Sequence, residues 1–341
     1  MGQLTRAPHE AMLYHKAEDG AVDCVLCAHR CHIRPGKRGV CRVRENRDGM
    51  LVSLVYGMLI TAHVDPIEKK PLYHFLPGTE SFSIATAGCN FQCDFCQNWQ
   101  ISQAARAEEI PGQYAAPEEI VAAALRAECP SISYTYTEPT IYFEYARDCA
   151  QLARRKGLRN VFVTNGYMTA ETVEQMAGLI DAANVDLKAF TDEFYRDRCK
   201  GKLAPVCETI RRMREAGIHL EVTTLLIPGF NDDEAQLRAL AGFLAGVGRD
   251  IPWHISRYHP DYRFDQAPPT PVSTIARAIE IGREAGLRYL YAGNVAGSSC
   301  EDTRCPECNA TVIERAGFIA RVIGLAGGVC KQCGARLPIV Q

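Results

Sequence analysis

The sequence has no apolar run of about 18 residues, the length a membrane-spanning helix needs, so no such span is expected. The opening stretch, MGQLTRAPHEAMLYHKAEDG, holds no continuous apolar segment of the kind that marks a signal peptide, and a cytoplasmic protein is expected. A strong charge imbalance is also missing. The 38 basic and 40 acidic residues leave a formal net charge of -2, which excludes a polyanion binder acting through bulk charge. With 47% hydrophobic and 23% charged residues, the 341-residue chain is long enough for one large domain with small appendages and a real core.

Cysteine, by contrast, is abundant. There are 16, and without an export signal close pairs and triplets read as reduced metal ligands, not disulfides. Three groups stand out: Cys24, Cys27, Cys31 and Cys41; Cys89, Cys93 and Cys96; and Cys305, Cys308, Cys330 and Cys333, with Cys300 just ahead as a spare ligand or a free thiol. Cys129, Cys149, Cys199 and Cys207 stand singly and read as small packing residues.

Between about 80 and 295, short β-rich runs alternate with helical stretches. The strands expected are 81–86, 131–136, 160–165, 184–190, 219–227 and 253–258, with a possible seventh at 288–293. Helices are expected at 117–128, opened by Pro117 and two carboxylates, and at 139–157, stopped by Gly157 after a basic turn. Such alternation implies a parallel sheet with right-handed crossovers, and six or seven units suit a partial barrel. Active-site residues then gather at the C-terminal ends of the strands. Polar or glycine-bearing segments do follow six strands in turn: GCNFQCDFC, TEP, NGY, DLK, PGFND and HPDY. Three regions are expected: a Cys-rich metal-binding segment over 1–79, the barrel over 80–296 and a zinc-ribbon-like segment over 297–341.

The first of these segments poses a question. Its cysteines are spaced C-x3-C-x2-C, with no fourth close by, whereas a four-iron cluster ordinarily takes four thiolates. Three thiolates leave one iron open. This triplet after a first strand, with Phe95 just before the last cysteine, resembles the signature of radical S-adenosylmethionine (SAM) enzymes. The resemblance implies an α/β fold, a partial (β/α)6-type TIM barrel, and a [4Fe–4S] cluster on Cys89, Cys93 and Cys96 whose open iron chelates SAM.

It also implies SAM contacts from Phe95 beside the adenine, from Glu138 to the ammonium and from Asn165 to the ribose or carboxylate. Thr137 stands where the family has a glycine pair. Asp186 and Lys188, with the 222–232 segment, look like the pyruvate formate-lyase activating enzyme branch; an internal ion pair is the other reading of Asp186 and Lys188. Across nearly its whole length, through DPIEKKPLYHFLPGT (65–79) and SIATAGCNFQCDFCQNWQIS (83–102), the chain is similar to the radical SAM member of the AmmeMemoRadiSam system. That resemblance implies Memo-like and AMMECR-type partner proteins and an electron donor of the flavodoxin or ferredoxin type.

The chemistry implied is reductive cleavage of SAM to a 5′-deoxyadenosyl radical that takes hydrogen from a substrate, expected to be macromolecular. Tyr136, His254, Arg257, Tyr258 and His259, near strand ends, are the substrate-facing candidates, and each could equally serve the core. One form of this function is a glycyl-radical-enzyme activase; another is an RNA-modifying enzyme. A different class, an iron–sulfur or zinc electron carrier or scaffold, does not require the open triplet.

The outer cysteines read separately. C-x2-C at 305–308 and 330–333, around the glycine-centred hairpin TVIERAGFIARVIG, is the pattern of a zinc ribbon. The N-terminal set, C-x2-C-x3-C-x9-C, binds zinc or an auxiliary [4Fe–4S] cluster, and the polarity of the segment favours zinc, since a relay cluster needs burial. Seven basic residues between Cys24 and Arg47, Arg30, Arg34, Lys37, Arg38, Arg42, Arg44 and Arg47, face one acidic residue, Glu45. They could meet phosphate or form a solvated rim; aromatics that would stack on bases are missing there.

Overall fold

The computed structural model describes residues 9–107, 109–295 and 301–341. Cys300 lies outside the described residues. Seven parallel strands run side by side in chain order: Glu80–Thr86, Ser131–Tyr134, Arg159–Thr164, Ala182–Asp186, His219–Leu226, Trp253–Arg257 and Leu290–Gly293. The seventh expected strand is therefore present. Helices Pro117–Arg126, Phe143–Arg155, Ala170–Met176, Leu203–Glu215, Glu234–Val247 and Val272–Glu284 alternate with them.

Before the first parallel strand, Met58–Pro66 pairs with it antiparallel, and Gln113–Tyr114 extends that edge, so the sheet has nine strands. Leu290–Gly293 and Gln113–Tyr114 are its two edges; the sheet is open and does not close into a barrel. A strand within the expected N-terminal segment thus belongs to the central sheet. Its apolar face is hard to recognise in the sequence because the run MLITAHVDP leaves His63 and Val64 exposed.

One face of the sheet packs on the helices through residues such as Ile132, Phe162, Val185, Val222 and Ile255. The other is polar though buried, with Ser81, Ser83, Ser131, Ser133, Asn184 and Glu221. Buried polar groups are tolerable only when paired. Ser81 and Ser133 hydroxyls meet at 2.6 Å, and Thr223 donates to Asn184 at 2.9 Å. Glu221 accepts the backbone N–H groups of Tyr73 and His74 at 3.0 and 2.7 Å and meets His254 Nε2 at 2.7 Å. These contacts make the floor beneath the strand ends.

The two ends of the chain attach differently. Residues 9–53 form two three-stranded antiparallel sheets whose apolar residues, including Leu26, Ile33, Val43 and Leu51, join the main core. Residues 301–341 form hairpins, Thr311–Ala316 with Ile319–Val322 among them, around a separate small core of Val312, Ile313, Leu325, Leu337 and Ile339. Gly317 turns the longer hairpin at φ +61°, the left-handed conformation glycine adopts without strain. The tail is pinned to the sheet domain by Val340, which exchanges backbone bonds with His74 and Leu76 at 2.8 Å.

Candidate active site

The loop after the first parallel strand begins at Gly88, whose φ is +108° and where a Cβ would lie 2.9 Å from Val43 Cγ1. Only glycine lets the loop turn so close to the N-terminal segment. Cys89, Cys93 and Cys96 follow and line one wall of a cavity of about 780 Å³ at the C-terminal ends of the strands. Donors already point at their sulfurs: Phe91 N–H to Cys89 Sγ at 3.3 Å, Asn165 Nδ2 to the same sulfur at 3.8 Å, and the Ser102 hydroxyl 3.3 Å from Cys96 Sγ. Such donors stabilise thiolates and tune an iron–sulfur centre. Asn90 Nδ2, buried inside the loop, has no partner. Three thiols with sulfur-directed donors and an orphaned amide fit a three-cysteine [4Fe–4S] cluster that leaves one iron for SAM.

All five residues that the resemblance assigned to SAM come to this cavity: Phe95, Glu138, Asn165, Asp186 and Lys188. Glu138 is buried, and its carboxylate accepts from Thr140 N–H and Oγ1 at 3.0 and 2.5 Å, Thr164 Oγ1 at 2.7 Å and Asn165 N–H at 2.8 Å. Burial raises its pKa against these bonds. The carboxylate is fixed in place, with three bonds on one oxygen and one on the other. Asn165 donates to Asn90 Oδ1 at 2.7 Å, tying the third strand's end to the cluster loop. Lys188 and Asp186 form an ion pair at 3.1 Å within the cavity wall. Burial works against the Lys188 charge, but Asp186 and the nearby sulfurs of Cys93 and Cys199 outweigh it and raise its pKa.

The substrate-facing candidates divide. Tyr136 and His254 line the cavity. Arg257, Tyr258 and His259 are not among its lining residues: Arg257 Nε donates to Thr270 O at 2.7 Å, the buried Tyr258 hydroxyl donates to Phe264 O at 2.6 Å, and the exposed His259 meets Gln97 at 3.3 Å. Consecutive positions along an extended chain point to opposite sides, so nearness to a strand end does not fix direction. His254 is held from below by Glu221. In PGFND, Asn231 is structural, bonding Lys188 O and Leu225 O at 2.7 and 2.8 Å.

Several residues join the site through contacts that no local spacing marks. Lys70, buried, donates to Asp65 at 2.6 Å and lies 4.5 Å from the centre of the Tyr136 ring, and the Tyr136 hydroxyl also donates to Asp65. Burial lowers the Lys70 pKa to about 8 although Asp65 opposes it. Tyr136 sits at φ +60°, a strained position for an aromatic residue, which persists where surrounding contacts impose it. Cys199, read from the sequence as a packing residue, hydrogen-bonds Cys93, and it ends a single π-helical turn, Tyr195–Cys199, that meets the cluster loop through Gln92 N–H to Cys199 O at 3.0 Å. Glu301, Gly317 and Phe318 of the tail reach the mouth of the cavity.

The outer cysteines contrast. The four C-terminal thiols lie within 4.8 Å of one another, Cys305 to Cys333 at 3.6 Å and Cys308 to Cys330 at 3.7 Å. Among the described residues they are the one group so convergent. At the N-terminal set, Cys24 and Cys27 are buried and Cys31 and Cys41 half-buried, so the segment is less exposed than its polarity implied. Four of the seven basic residues there are spent internally: Arg44 on Glu144 and on Cys24 Sγ, Arg38 and Arg47 on Glu45, and Arg30 on Glu171.

Comparison with known proteins agrees with this geometry. The radical SAM superfamily profile matches residues 83–241. A protein of Methanocaldococcus jannaschii, itself uncharacterised, is 46% identical over 334 residues, covering 97% of this chain and 99% of its own length. The benzylsuccinate synthase activating enzyme of Thauera aromatica is 27% identical over 145 residues, 40% of this chain and 44% of that enzyme. Among solved structures, a radical SAM methyltransferase from Sphaerobacter thermophilus superposes with a TM-score of 0.50 at 20% identity, over 72% of each chain, a likeness of fold. With the cysteine triplet, the cavity and the superfamily profile in agreement, the chain belongs to the radical SAM superfamily.

Proposed function

We propose that the protein cleaves SAM reductively at a cluster on Cys89, Cys93 and Cys96 and uses the product to abstract hydrogen from a macromolecular substrate. The observation that carries this reading is the placement of three thiols, with no fourth assigned, on the wall of a cavity that also gathers Glu138, Asn165, Asp186 and Lys188. Held by Cys89, Cys93 and Cys96, the cluster with SAM would supply one-electron reductive cleavage of SAM and, through it, the capacity to abstract hydrogen from the substrate.

The chain's own residues orient and enclose. Glu138, rigidly hydrogen-bonded, is suited to receive the SAM ammonium, and Phe95 to pack beside the adenine. Lys70 and Tyr136, both bonded to Asp65, form a polar patch on the cavity wall where substrate polar groups can be held. The tail, through Glu301 and Phe318, narrows the mouth and limits water. A macromolecular substrate is supported by likeness to an activating enzyme, so a glycyl-radical protein is the first substrate class to try. The tail's four thiols suit zinc, whose bonds of about 2.3 Å place tetrahedral sulfurs about 3.8 Å apart. The electron donor is expected to be of the flavodoxin or ferredoxin class, with Memo-like and AMMECR-type proteins as candidate partners.

The test is anaerobic reconstitution with iron and sulfide, reduction with dithionite in the presence of SAM, and measurement of 5′-deoxyadenosine, with Cys93→Ala as control. The expected result is release by the wild type and none by the variant. Equal release by both would overturn the reading.

A further inference from the structure

The N-terminal cysteines do not have the geometry of a single tetrahedral ion. Such a site draws its sulfurs to about 3.8 Å, as bonds of about 2.3 Å require, and the tail's pairs at 3.6 and 3.7 Å meet that demand. Cys24, Cys27, Cys31 and Cys41 are neighbours, with Cys24 N–H bonding Cys31 O at 2.9 Å, yet among the described residues their sulfurs do not gather as the tail's four do. The triplet Cys89, Cys93 and Cys96 behaves in the same way. A four-iron cube takes one thiolate per iron and therefore holds its sulfurs further apart than one ion does. Within a single chain, the tail and the triplet thus serve as two internal standards, and the N-terminal set follows the triplet.

Its setting is also that of a redox centre. The set lies in the main core beside Leu26, Ile33 and Val43, and Arg44, itself buried, donates to Cys24 Sγ at 3.2 Å. A cationic donor on a cluster sulfur favours the reduced form. The segment is docked on the cluster loop: His29 Nε2 meets Asn90 O at 2.8 Å, and Asn90 is the residue after Cys89. Ala28 N–H bonds Tyr167 O at 3.2 Å, and the hydroxyls of Thr169 and Thr172 donate to Val25 O and Leu26 O at 2.6 and 2.5 Å. On the outside, Arg34, Lys37 and Arg42 are exposed and make no ion pair among the described residues, which leaves a basic rim for an acidic electron-transfer protein.

We propose that Cys24, Cys27, Cys31 and Cys41 hold a [4Fe–4S] cluster, not zinc, and that electrons enter the enzyme there on their way to the site at Cys89, Cys93 and Cys96. The second half rests on the radical reading above; the first does not. One electron is taken from an external one-electron donor of the ferredoxin or flavodoxin class and one is passed on. No covalent bond forms or breaks and the thiolates keep their protonation.

The full chain bearing Cys89→Ala, Cys93→Ala and Cys96→Ala together isolates the N-terminal site. Purified anaerobically, it should retain about four iron and about four sulfide per chain, one zinc, and a paramagnetic signal on dithionite reduction. Two zincs and no iron would overturn the assignment, whatever becomes of SAM cleavage. Adding Cys27→Ala and Cys31→Ala should remove the iron while the sheet keeps its thermal transition, which reports that the chain has folded; iron that persists would place the cluster elsewhere and overturn the site.

For the electron path, freeze-quench paramagnetic resonance would follow reduction of the triplet's cluster in the Cys27→Ala/Cys31→Ala protein. The fast phase with a ferredoxin-class donor should disappear while reduction by dithionite is unchanged. Unaltered reduction by the protein donor, or equal slowing with both reductants, overturns the relay.

Discussion

The two ends of the chain each carry four cysteines and each bury one arginine, yet they solve different problems. The tail brings its thiols to within 4.8 Å around a core of only a few apolar side chains, and Cys333 stays exposed. The N-terminal segment spreads its thiols and contributes its apolar side chains to the main core. In the tail, the four convergent thiols offer a metal site where the apolar core is small. At the N-terminus the packing already exists, so a cofactor there is free to serve chemistry. Arg315 and Arg44 mark the same contrast. Arg315 fastens the tail to backbone oxygens, Tyr73 O at 2.7 Å and Glu301 O at 3.0 Å, whereas Arg44 points its guanidinium at a cysteine sulfur.

The largest effect should come from taking the ion away from the tail. Structural zinc of this kind contributes on the order of 10 kcal/mol of apparent binding, which in a segment without its own core is folding free energy. Chelation, or Cys308→Ala, should therefore expose 301–341 to rapid proteolysis while the sheet keeps its thermal transition. Cys27→Ala with Cys31→Ala should leave 9–53 protected. Equal digestion of both ends would break the comparison.

A smaller loss is expected from Arg315→Ala. Arg315 lies buried over the Tyr73 ring at 4.1 Å, donates to Thr303 Oγ1 at 2.7 Å and pairs with the buried Glu68 at 3.9 Å. Removing one partner from such a buried set costs about 3 kcal/mol. Denaturant unfolding would measure this, and zinc content should not change. The tail would then keep its ion and lose its seat at the cavity mouth. Full stability with zinc lost would instead mean that Arg315 supports the metal and not the docking.

The parallel strands were legible because each is a short β-rich run bounded by turn residues, and every expected run falls on an observed strand. The cysteine groups were legible because ligand spacing is local. The antiparallel strand Met58–Pro66 was not, since its partner pairing is a tertiary fact and three of its nine residues are exposed. Lys70 and Asp65 are brought to Tyr136 by that pairing, across more than sixty positions in the chain, and no local pattern announces it. Cys199 resembled any buried thiol until the π-turn placed it on Cys93. The polarity of 24–47 misled for a related reason. Counting bases there could not reveal that Arg44 would be matched by Glu144, a hundred positions away, and drawn into the core.

The smallest expected effect tests whether the N-terminal segment is held by its buried contacts or by its rim. Arg30 and Glu171 pair at 3.2 Å across the junction with the sheet domain, but their side chains are 54% and 41% exposed. Exposed pairs are screened by salt and contribute at most about 1 kcal/mol. The bonds from Thr169, Thr172 and His29 are buried or partly buried and should carry the docking. Arg30→Ala should thus shift the unfolding free energy by less than about 1 kcal/mol, with no change in iron content and little dependence on ionic strength. A loss of about 2 kcal/mol or more, or release of N-terminal iron, would show that the segment hangs from its rim as the tail hangs from its ion. The two ends would then differ in the metal they hold and not in the way they are held.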